Sequence, residues 1–301
     1  MSKERTPMAE RLSSLEGGHN GKKEEGHARK ALVEQWRNAP EGVHQYVAGQ
    51  IKDDSGDVIR EWSSGARLWI GDQDEVMDSC QRPWVVETVD KAFEALGPRL
   101  NISVLERGFG MGLVAGEIWN HLRRLEKTSY TVIELNSQVA NHARNIWLPK
   151  QIRSERSKAT SEIGGTYSGS NIAVEIIEGD AVEETEKLAA LGRKFHLIIS
   201  DTFPLSKDEN SVNDLLDLGT LIQLLEPDGV FAFFGYHSGY QGGMNERQRN
   251  LVEAHFGQIN RTMVQGINPP PDYKYFNPEN GPIVRELPVI ICSKPRLQVA
   301  V

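Results

Sequence analysis

The stretch VLERGFGMGLVAGEI, residues 104–118, places three glycines within five positions directly after a short apolar run. Glycine loses more backbone entropy on folding than other residues do, so such a cluster needs a local cause. One cause is a tight turn between a strand and a helix. The other is a ligand that approaches the backbone more closely than a Cβ atom allows. Both causes predict a strand that ends just before Gly108 and a helix that begins near Leu113.

Outside this stretch, apolar runs alternate with helical patterns. Five runs are predicted strands: NISVLE, YTVIEL, IAVEII, FHLIIS and GVFAFFGY. Helical periodicity predicts helices near residues 84–96, 113–125, 138–147, 181–191, 212–225 and 246–256. Such alternation indicates βαβ units with right-handed crossovers and a mainly parallel sheet. Two later segments, 261–265 and 288–292, are predicted strands that add an antiparallel edge. The predicted fold class is therefore α/β, a Rossmann-like three-layer sandwich.

Composition limits the classes of function. The 301 residues are 39% hydrophobic and 25% charged, which is typical of a globular protein. A net charge of -8 argues against a nucleic-acid binder and mildly favours cationic ligands. The sequence has no apolar run that could span a membrane and no secretory signal. Cys80 and Cys292 favour two thiols in a reducing cytoplasm, with a disulfide left open. We expect a cytoplasmic small-molecule enzyme without nucleic-acid or membrane partners, and leave a homodimer open.

The chain divides into regions of different composition. Residues 1–30 are rich in Glu, Lys, Gly and Ser and are predicted to form a mobile tail. Residues 31–82, with scattered aromatics, are predicted to form an irregular cap over the functional site. Residues 83–301 form the predicted ligand-binding and catalytic domain. Within it, the polar segment 152–171 is predicted to be an inserted loop.

Acidic residues and glycines follow the predicted strands. The loop has the pattern acidic-x-G-x-G-x-G, formed by Glu106, Gly108, Gly110 and Gly112. This differs from the dinucleotide pattern G-x-G-x-x-G, because Leu113 occupies its last glycine position. It is closer to loops that bind S-adenosylmethionine (AdoMet), in which the acidic residue can face the ligand's ammonium group.

Carboxylates end the next three predicted strands. Glu134 can accept hydrogen bonds from ribose hydroxyls, although a solvated strand end is its plain alternative. Asp180 can accept from the amine of adenine, and as its plain alternative it caps a helix. Asp201 follows the fourth strand. Because ligands bind at the carboxyl ends of such strands, a nucleoside-containing ligand explains the pattern economically.

These motifs resemble class I AdoMet-dependent methyltransferases, and more narrowly guanidinoacetate N-methyltransferase. LERGFGMG is similar to L-E-V-G-F-G-M of that family, VIELN to I-I-E-C-N, and DTFPL to D-T-Y-P-L. LWIGDQDEVMDSCQRPW and PPPDYKYFNPENGPIV resemble its segments before and after these motifs. The likeness covers about residues 68–284. It implies AdoMet as cofactor and a small guanidino compound, such as free L-arginine or a guanidinoacetate-like acid, as methyl acceptor.

The resemblance also implies roles for individual residues. Asp201 matches an aspartate that grips the guanidino group, whereas Gln81 stands where the family has a glutamate. Asp78 is a candidate for the missing carboxylate, and Thr202, Tyr236 and His237 are candidate substrate contacts, although packing is the plainer role for the last two. Further cofactor contacts are expected at Met77, Leu135, Ala181 and Asp201. Arg107 replaces an apolar residue of the family, and the sequence offers no reason for it.

The expected chemistry is methyl transfer to nitrogen. A guanidinium is protonated at neutral pH, so the enzyme must accept a proton when the new bond forms. We expect Asp201 to hold the guanidino group and take that proton, while Gln81 orients it. The sequence shows no spacing of metal ligands. Three alternatives stay open: a methyltransferase for an amine, amide or carbon acceptor, an aminopropyltransferase, and a non-catalytic binding module.

Overall fold

In the computed structural model, the described residues are 21–52, 55, 58–70, 74–159, 172–202, 215–234, 244–270 and 286–296. The strands are β1 (Glu41–Tyr46), β2 (Gly49–Lys52), β3 (Val58–Trp62), β4 (Gly65–Ile70), β5 (Asp74–Asp78), β6 (Asn101–Arg107), β7 (Lys127–Glu134), β8 (Ile172–Glu178), β9 (Phe195–Ser200), β10 (Leu225–Phe234), β11 (Phe256–Val264) and β12 (Leu287–Pro295). The helices are α1 (Gly21–Asn38), α2 (Arg82–Leu96), α3 (Leu113–Leu122), α4 (Ser137–His142), α5 (Leu148–Ala159), α6 (Ala181–Ala190), α7 (Leu218–Leu224) and α8 (Glu246–His255). A 3-10 turn spans Ser79–Gln81, and a π-helical turn spans Ala143–Trp147.

A seven-stranded sheet forms the centre of the fold, in the order β11-β12-β10-β9-β6-β7-β8. Strands β8, β7, β6, β9 and β10 are parallel neighbours, and β12 runs antiparallel to both β10 and β11. The predicted α/β fold with an antiparallel edge is thus confirmed. From β6 the chain moves outward through β7 and β8, then returns to add β9 on the other side of β6. This reversal creates a crevice between the carboxyl ends of β6 and β9, where open α/β sheets bind ligands.

Two hydrophobic clusters cover the two faces of the sheet. Along β6, Val104 packs in one cluster and Leu105 in the other, because successive side chains of a strand point to opposite faces. The first cluster includes Trp84, whose indole N–H donates to the carbonyl oxygen of Pro288 at 2.8 Å. Burial on both faces explains why the parallel strands appear in the sequence as continuous apolar runs.

Several predicted element boundaries were wrong. Helix α1 begins at Gly21, inside the predicted tail, and five short strands occupy 41–78, where an irregular cap was expected. The predicted polar loop begins as helix, since α5 continues to Ala159, and residues 160–171 lie outside the described part of the chain. Helix α4 continues through the π-helical turn into α5 rather than ending near Trp147. Polar sequences with helical propensity gave no apolar period by which to recognise these elements.

Two further structural facts concern the cysteines and the membrane. Cys80 and Cys292 are free thiols in the structure, and burial raises the pKa of each. Among the described residues, no helix combines the length and the apolar character needed to cross a membrane.

The structure supplies a reason for Arg107. Its side chain is buried and points to the sheet face opposite that of Glu106, where it donates to Asp217 Oδ1 at 2.7 Å and to Ser200 Oγ at 3.2 Å. Asp217 directly precedes α7 and is also buried. The pair therefore joins the end of β6, at the crevice, to the start of the helix that precedes β10.

We predict that Asp217→Ala lowers the free energy of unfolding by about 3–5 kcal/mol, because it leaves the buried Arg107 charge without its carboxylate. Asp228→Ala is the matched control, since Asp228 forms an exposed pair with Arg99 at 2.5 Å. Loss of that pair should cost less than about 1 kcal/mol. Urea unfolding of both variants checks this, and equal losses would contradict the structural role of the buried pair.

Candidate functional site

The glycine loop connects β6 to α3 at the crevice. Gly108, Gly110 and Gly112 all have positive φ angles, of 86°, 52° and 71°. Gly108 N–H donates to the carbonyl oxygen of Ile133 at 2.8 Å, and Asp201 N–H donates to that of Arg107 at 2.8 Å. These bonds tie the end of β6 to the ends of both neighbouring strands, β7 and β9.

Contacts within the protein account for each glycine. A Cβ atom on Gly108 would lie 2.2 Å from the carbonyl oxygen of Asp201. One on Gly110 would meet Met77 Cε at 3.0 Å, and one on Gly112 would meet the Phe109 ring at 2.8 Å. The tight turn therefore explains the cluster by itself, and the close approach of a ligand stays a prediction. The same packing brings the loop, β5 and the end of β9 together.

Glu106, at the end of β6, is fully buried. Its Oε2 accepts a hydrogen bond from the Tyr130 hydroxyl, and its Oε1 has no hydrogen-bond partner among the described residues. Burial raises the pKa of Glu106 well above its ordinary value, the negative charges of Asp201 and Glu134 raise it further, and the backbone N–H of Ala115 opposes the increase. A buried carboxylate oxygen without a donor is costly, so this atom marks a place for a cationic or hydrogen-donating ligand group.

Glu134 holds the glycine loop in place. Its Oε2 accepts from the backbone N–H groups of Phe109 at 2.9 Å and Gly110 at 3.3 Å, and its Oε1 accepts from Asn136 N–H at 2.8 Å. Burial raises the pKa of Glu134, and these backbone donors oppose the increase. The solvated strand end considered for this residue is wrong, since only 7% of Glu134 is exposed. Backbone N–H groups occupy three of its acceptor positions, and the N–H of Leu135 also lowers its pKa, so contact with a ribose stays a prediction.

A cluster of aromatic side chains packs against the glycine loop. Phe109 packs edge-to-face on Trp147, with ring centroids 5.4 Å apart, and Trp147 also contacts Trp119 and Tyr130. The π-helical turn places Trp147 there. Because Tyr130 also donates to Glu106, the aromatic group and the carboxylate are parts of one packed unit.

Asp201 and Thr202 follow β9 and are half-buried. The backbone bond to Arg107 and the close approach to Gly108 place Asp201 beside the loop, and its charge acts on Glu106. Three carboxylates, Glu106, Glu134 and Asp201, thus gather where β6, β7 and β9 end; we call them the carboxylate cluster. Such a cluster favours a cationic ligand, because like charges repel and a cation offsets that repulsion.

Asp180 has two roles in the structure. Its Oδ1 accepts from the N–H groups of Val182 and Glu183, both at 3.1 Å, so the predicted helix cap is present at the start of α6. Both carboxylate oxygens also accept from Arg29 of α1, at 3.0 and 2.9 Å. Sequence reasoning missed this ion pair, because 151 residues separate its members.

Met77 contacts the loop from β5. Its sulfur accepts a hydrogen bond from Met111 N–H at 3.3 Å, and its methyl group faces Gly110. Leu135 and Ala181, the other expected cofactor contacts, are half-buried next to Glu134 and Asp180.

Asp78 and Gln81 lie together in a capping box. Gln81 Oε1 accepts from Asp78 N–H at 3.2 Å, and Asp78 Oδ1 accepts from Cys80 N–H at 2.7 Å. Asp78 Oδ2 forms a buried ion pair with Arg67 at 2.9 Å. Arg67 thus compensates the Asp78 charge, so the expected role of Asp78 toward a guanidino group has no geometric support. Tyr236 and His237 lie outside the described residues.

Comparison with known proteins supports the fold. No protein-family model and no curated protein matches the chain. A spermidine synthase in complex with the transition state analogue AdoDATO is similar, with 15% identity, a TM-score of 0.50 and coverage of 83% of this chain and 72% of that one. Spermidine synthase from Thermotoga maritima gives a TM-score of 0.51 at the same identity and coverage. The chain has the α/β fold of these proteins.

A third similar structure is human methyltransferase-like protein 13 in complex with SAH. It has 14% identity, a TM-score of 0.43 and coverage of 74% of this chain and 84% of that one. At these identities the likeness concerns the fold alone, so the chemistry depends on the site itself.

The residues present fit an AdoMet-type ligand. The partnerless Glu106 oxygen suits its ammonium group, and the carboxylate cluster suits a sulfonium. Asp180, whose charge Arg29 offsets, suits a neutral base. Glu134 and the loop lie between these two ends of the site.

We predict that Gly108→Ala disrupts the site. Its backbone conformation alone costs a residue with a Cβ atom about 1–3 kcal/mol, and the contact with the Asp201 carbonyl forces β9 away from the loop. Gly116→Ala in α3 is the control, because its Cβ would meet no atom within 4 Å. That change should stabilise the helix by about 0.5–1 kcal/mol. Thermal unfolding of both variants distinguishes them, and similar shifts would contradict the packing described.

We predict that Glu106→Gln makes stability less dependent on pH. The folded-state pKa of Glu106 is raised, so between its ordinary pKa and the raised value the folded protein binds more protons than the unfolded chain. Its stability therefore falls as pH rises through that window, by up to about 1.4 kcal/mol per pH unit. The variant avoids this loss, so the difference in free energy of unfolding between variant and wild type should move in favour of the variant from pH 5 to pH 8. Urea unfolding at both pH values tests this; a constant difference would be inconsistent with a buried, raised-pKa carboxyl.

Proposed function

We propose that the chain is an AdoMet-dependent N-methyltransferase for a small guanidino compound, such as free L-arginine or a guanidinoacetate-like acid. The observation that carries the proposal is the carboxylate cluster at the crevice, with the buried Oε1 of Glu106, which has no hydrogen-bond partner among the described residues. A net charge of -8 further favours cationic substrates. The resemblance of DTFPL and the glycine loop to guanidinoacetate N-methyltransferase supports the choice of acceptor.

The residues divide the work along the crevice. Glu106 holds the amino group of the cofactor, Glu134 keeps the loop in shape and accepts from the ribose, and Asp180 accepts from the base. AdoMet, when bound, supplies an electrophilic methyl group on a sulfonium. Positioning of the acceptor against it can supply roughly 7–11 kcal/mol of the rate enhancement.

Asp201 is the group that we assign to the acceptor. It holds the guanidinium by charge-assisted hydrogen bonds and takes the proton that the nitrogen loses as the new N–C bond forms. Gln81, whose Oε1 accepts from Asp78 N–H, is the group that we assign to orienting the guanidino group. Asp78 has no part in this assignment, because its charge is compensated by Arg67.

A second candidate function is aminopropyl transfer from decarboxylated AdoMet to a small polyamine. Two spermidine synthases share the fold at TM-scores of 0.50 and 0.51. The site also favours this ligand, since AdoMet carries a carboxylate that needs a cationic partner and decarboxylated AdoMet does not. The arginines described beside the crevice, Arg29, Arg67 and Arg107, are each paired with an aspartate.

One assay distinguishes the candidates. The protein is incubated with AdoMet or decarboxylated AdoMet and with arginine, guanidinoacetate, agmatine, simple amines or putrescine, and the products are identified by mass. Methylated guanidines support the proposal. Methylation of amines alone contradicts the guanidino acceptor, and aminopropylated putrescine supports the second candidate. No product from any pair contradicts both.

We predict that Asp201→Asn lowers turnover by at least about 100-fold, because the amide cannot take the proton. Its affinity for S-adenosylhomocysteine should change little, because Glu106 and Asp180 stay in place. Turnover by mass spectrometry and affinity by calorimetry are measured on the same preparation. Turnover that survives the change would show that Asp201 is not the proton acceptor.

A further inference from the structure

Asp180 keeps one acceptor position for a ligand. Its Oδ1 accepts three hydrogen bonds, from Val182 N–H, Glu183 N–H and Arg29 Nη1. Its Oδ2 accepts one hydrogen bond among the described residues, from Arg29 Nη2. Each carboxylate oxygen has two lone pairs, so the three donors to Oδ1 share its two, whereas Oδ2 has one donor and one lone pair left. Only 3% of Asp180 is exposed. Its hydrogen bonds and the surrounding packing hold the orientation of the carboxylate.

Helix α1 is held against the site at a second, independent point. Asn136 Nδ2 donates to the carbonyl oxygens of Trp36 at 3.0 Å and Ala39 at 2.8 Å, at the end of α1. Asn136 follows Glu134, and its own side-chain oxygen caps α4. Val33, between the two attachment points, is buried. The helix thus covers the ends of β7 and β8, where the base and ribose are assigned.

The carboxylates of the site differ in their charge compensation. Asp180 is paired bidentately with a guanidinium, whereas Glu134 receives hydrogen bonds from backbone N–H groups and Glu106 from a tyrosine hydroxyl. A neutral amine on a base needs an acceptor in a fixed direction but gains little from a full negative charge. Asp180 with Arg29 meets that need.

We propose that Arg29 is a positioning residue, which fixes Asp180 Oδ2 for the amino group of an adenine base and so couples α1 to the cofactor. The proposal rests on the proposed function, because it takes an adenosyl ligand as given. Two consequences follow. The site should prefer an adenosyl ligand to an inosyl one, whose oxygen in place of the amino group would face Asp180 Oδ2. Ligand binding should also protect α1, since the two share Asp180.

The test compares binding of S-adenosylhomocysteine and S-inosylhomocysteine by calorimetry. Arg29→Ala should weaken the adenosyl ligand about tenfold, as expected for one hydrogen bond, and reduce the adenosyl-over-inosyl preference. Arg29→Lys should restore part of that preference. Arg37→Ala is the matched control, because Arg37 lies on the same helix and pairs with Glu34 at 3.1 Å; it should leave both affinities unchanged.

The outcomes separate this proposal from the proposed function. If the wild type binds neither ligand, the proposed function fails. If it binds S-adenosylhomocysteine but Arg29→Ala leaves the affinities unchanged, weakens both equally or tightens the adenosyl ligand, the role of Arg29 is wrong. Hydrogen exchange on the wild type gives a test that needs no variant. Slower exchange of residues 29–39 with S-adenosylhomocysteine supports the coupling, and faster or unchanged exchange overturns it.

Discussion

Burial of carboxylates that lie close together is the constraint on which this site depends. Glu106, Glu134 and Asp201 gather where three parallel strands end, and burial disfavours the ionised forms of Glu106 and Glu134. The protein satisfies Glu134 with loop amides and one oxygen of Glu106 with Tyr130, and leaves the other oxygen of Glu106 without a donor. The site therefore costs stability when empty. A cationic ligand would offset that cost, which is the physical basis of the proposed function.

The glycine loop makes this gathering possible through backbone contacts. Gly108 lets the chain pass so close to the Asp201 carbonyl that no side chain fits, and backbone bonds connect the loop to β7 and β9. Arg107 then anchors the opposite face of β6 through Asp217, near α7. Adjacent residues of β6 thus have different roles, because their side chains lie on opposite faces of the sheet. The Glu106 side chain faces the proposed ligand, and the Arg107 side chain stabilises the opposite layer of the fold.

The sequence predicted the central sheet well and the surrounding parts poorly, for physical reasons. Apolar runs such as FHLIIS predict buried parallel strands, and Asp180 before an amphipathic helix predicts a helix cap. The positions of acidic residues directly after the apolar runs also predicted which strands end in carboxylates. By contrast, the pairs Arg29–Asp180 and Arg107–Asp217 join distant segments, and only the folded arrangement brings them together. Helix α1 is polar on average, so its low apolar content did not indicate a helix packed over the ends of β7 and β8.

The difference between carboxylates paired with arginine and carboxylates held by neutral donors is the strongest physical argument for the kind of ligand. Asp78, Asp180 and Asp217 each have an arginine partner, whereas Glu106 and Glu134 at the crevice accept from a tyrosine hydroxyl and from backbone N–H groups. This distribution of charge along the carboxyl edge of the sheet matches a ligand that is neutral at one end and cationic at the other. An adenosyl sulfonium has that distribution of charge. Under the proposed function, the acceptor depends on Asp201, since a guanidinium or an amine would approach the same negative charges and give up its proton there.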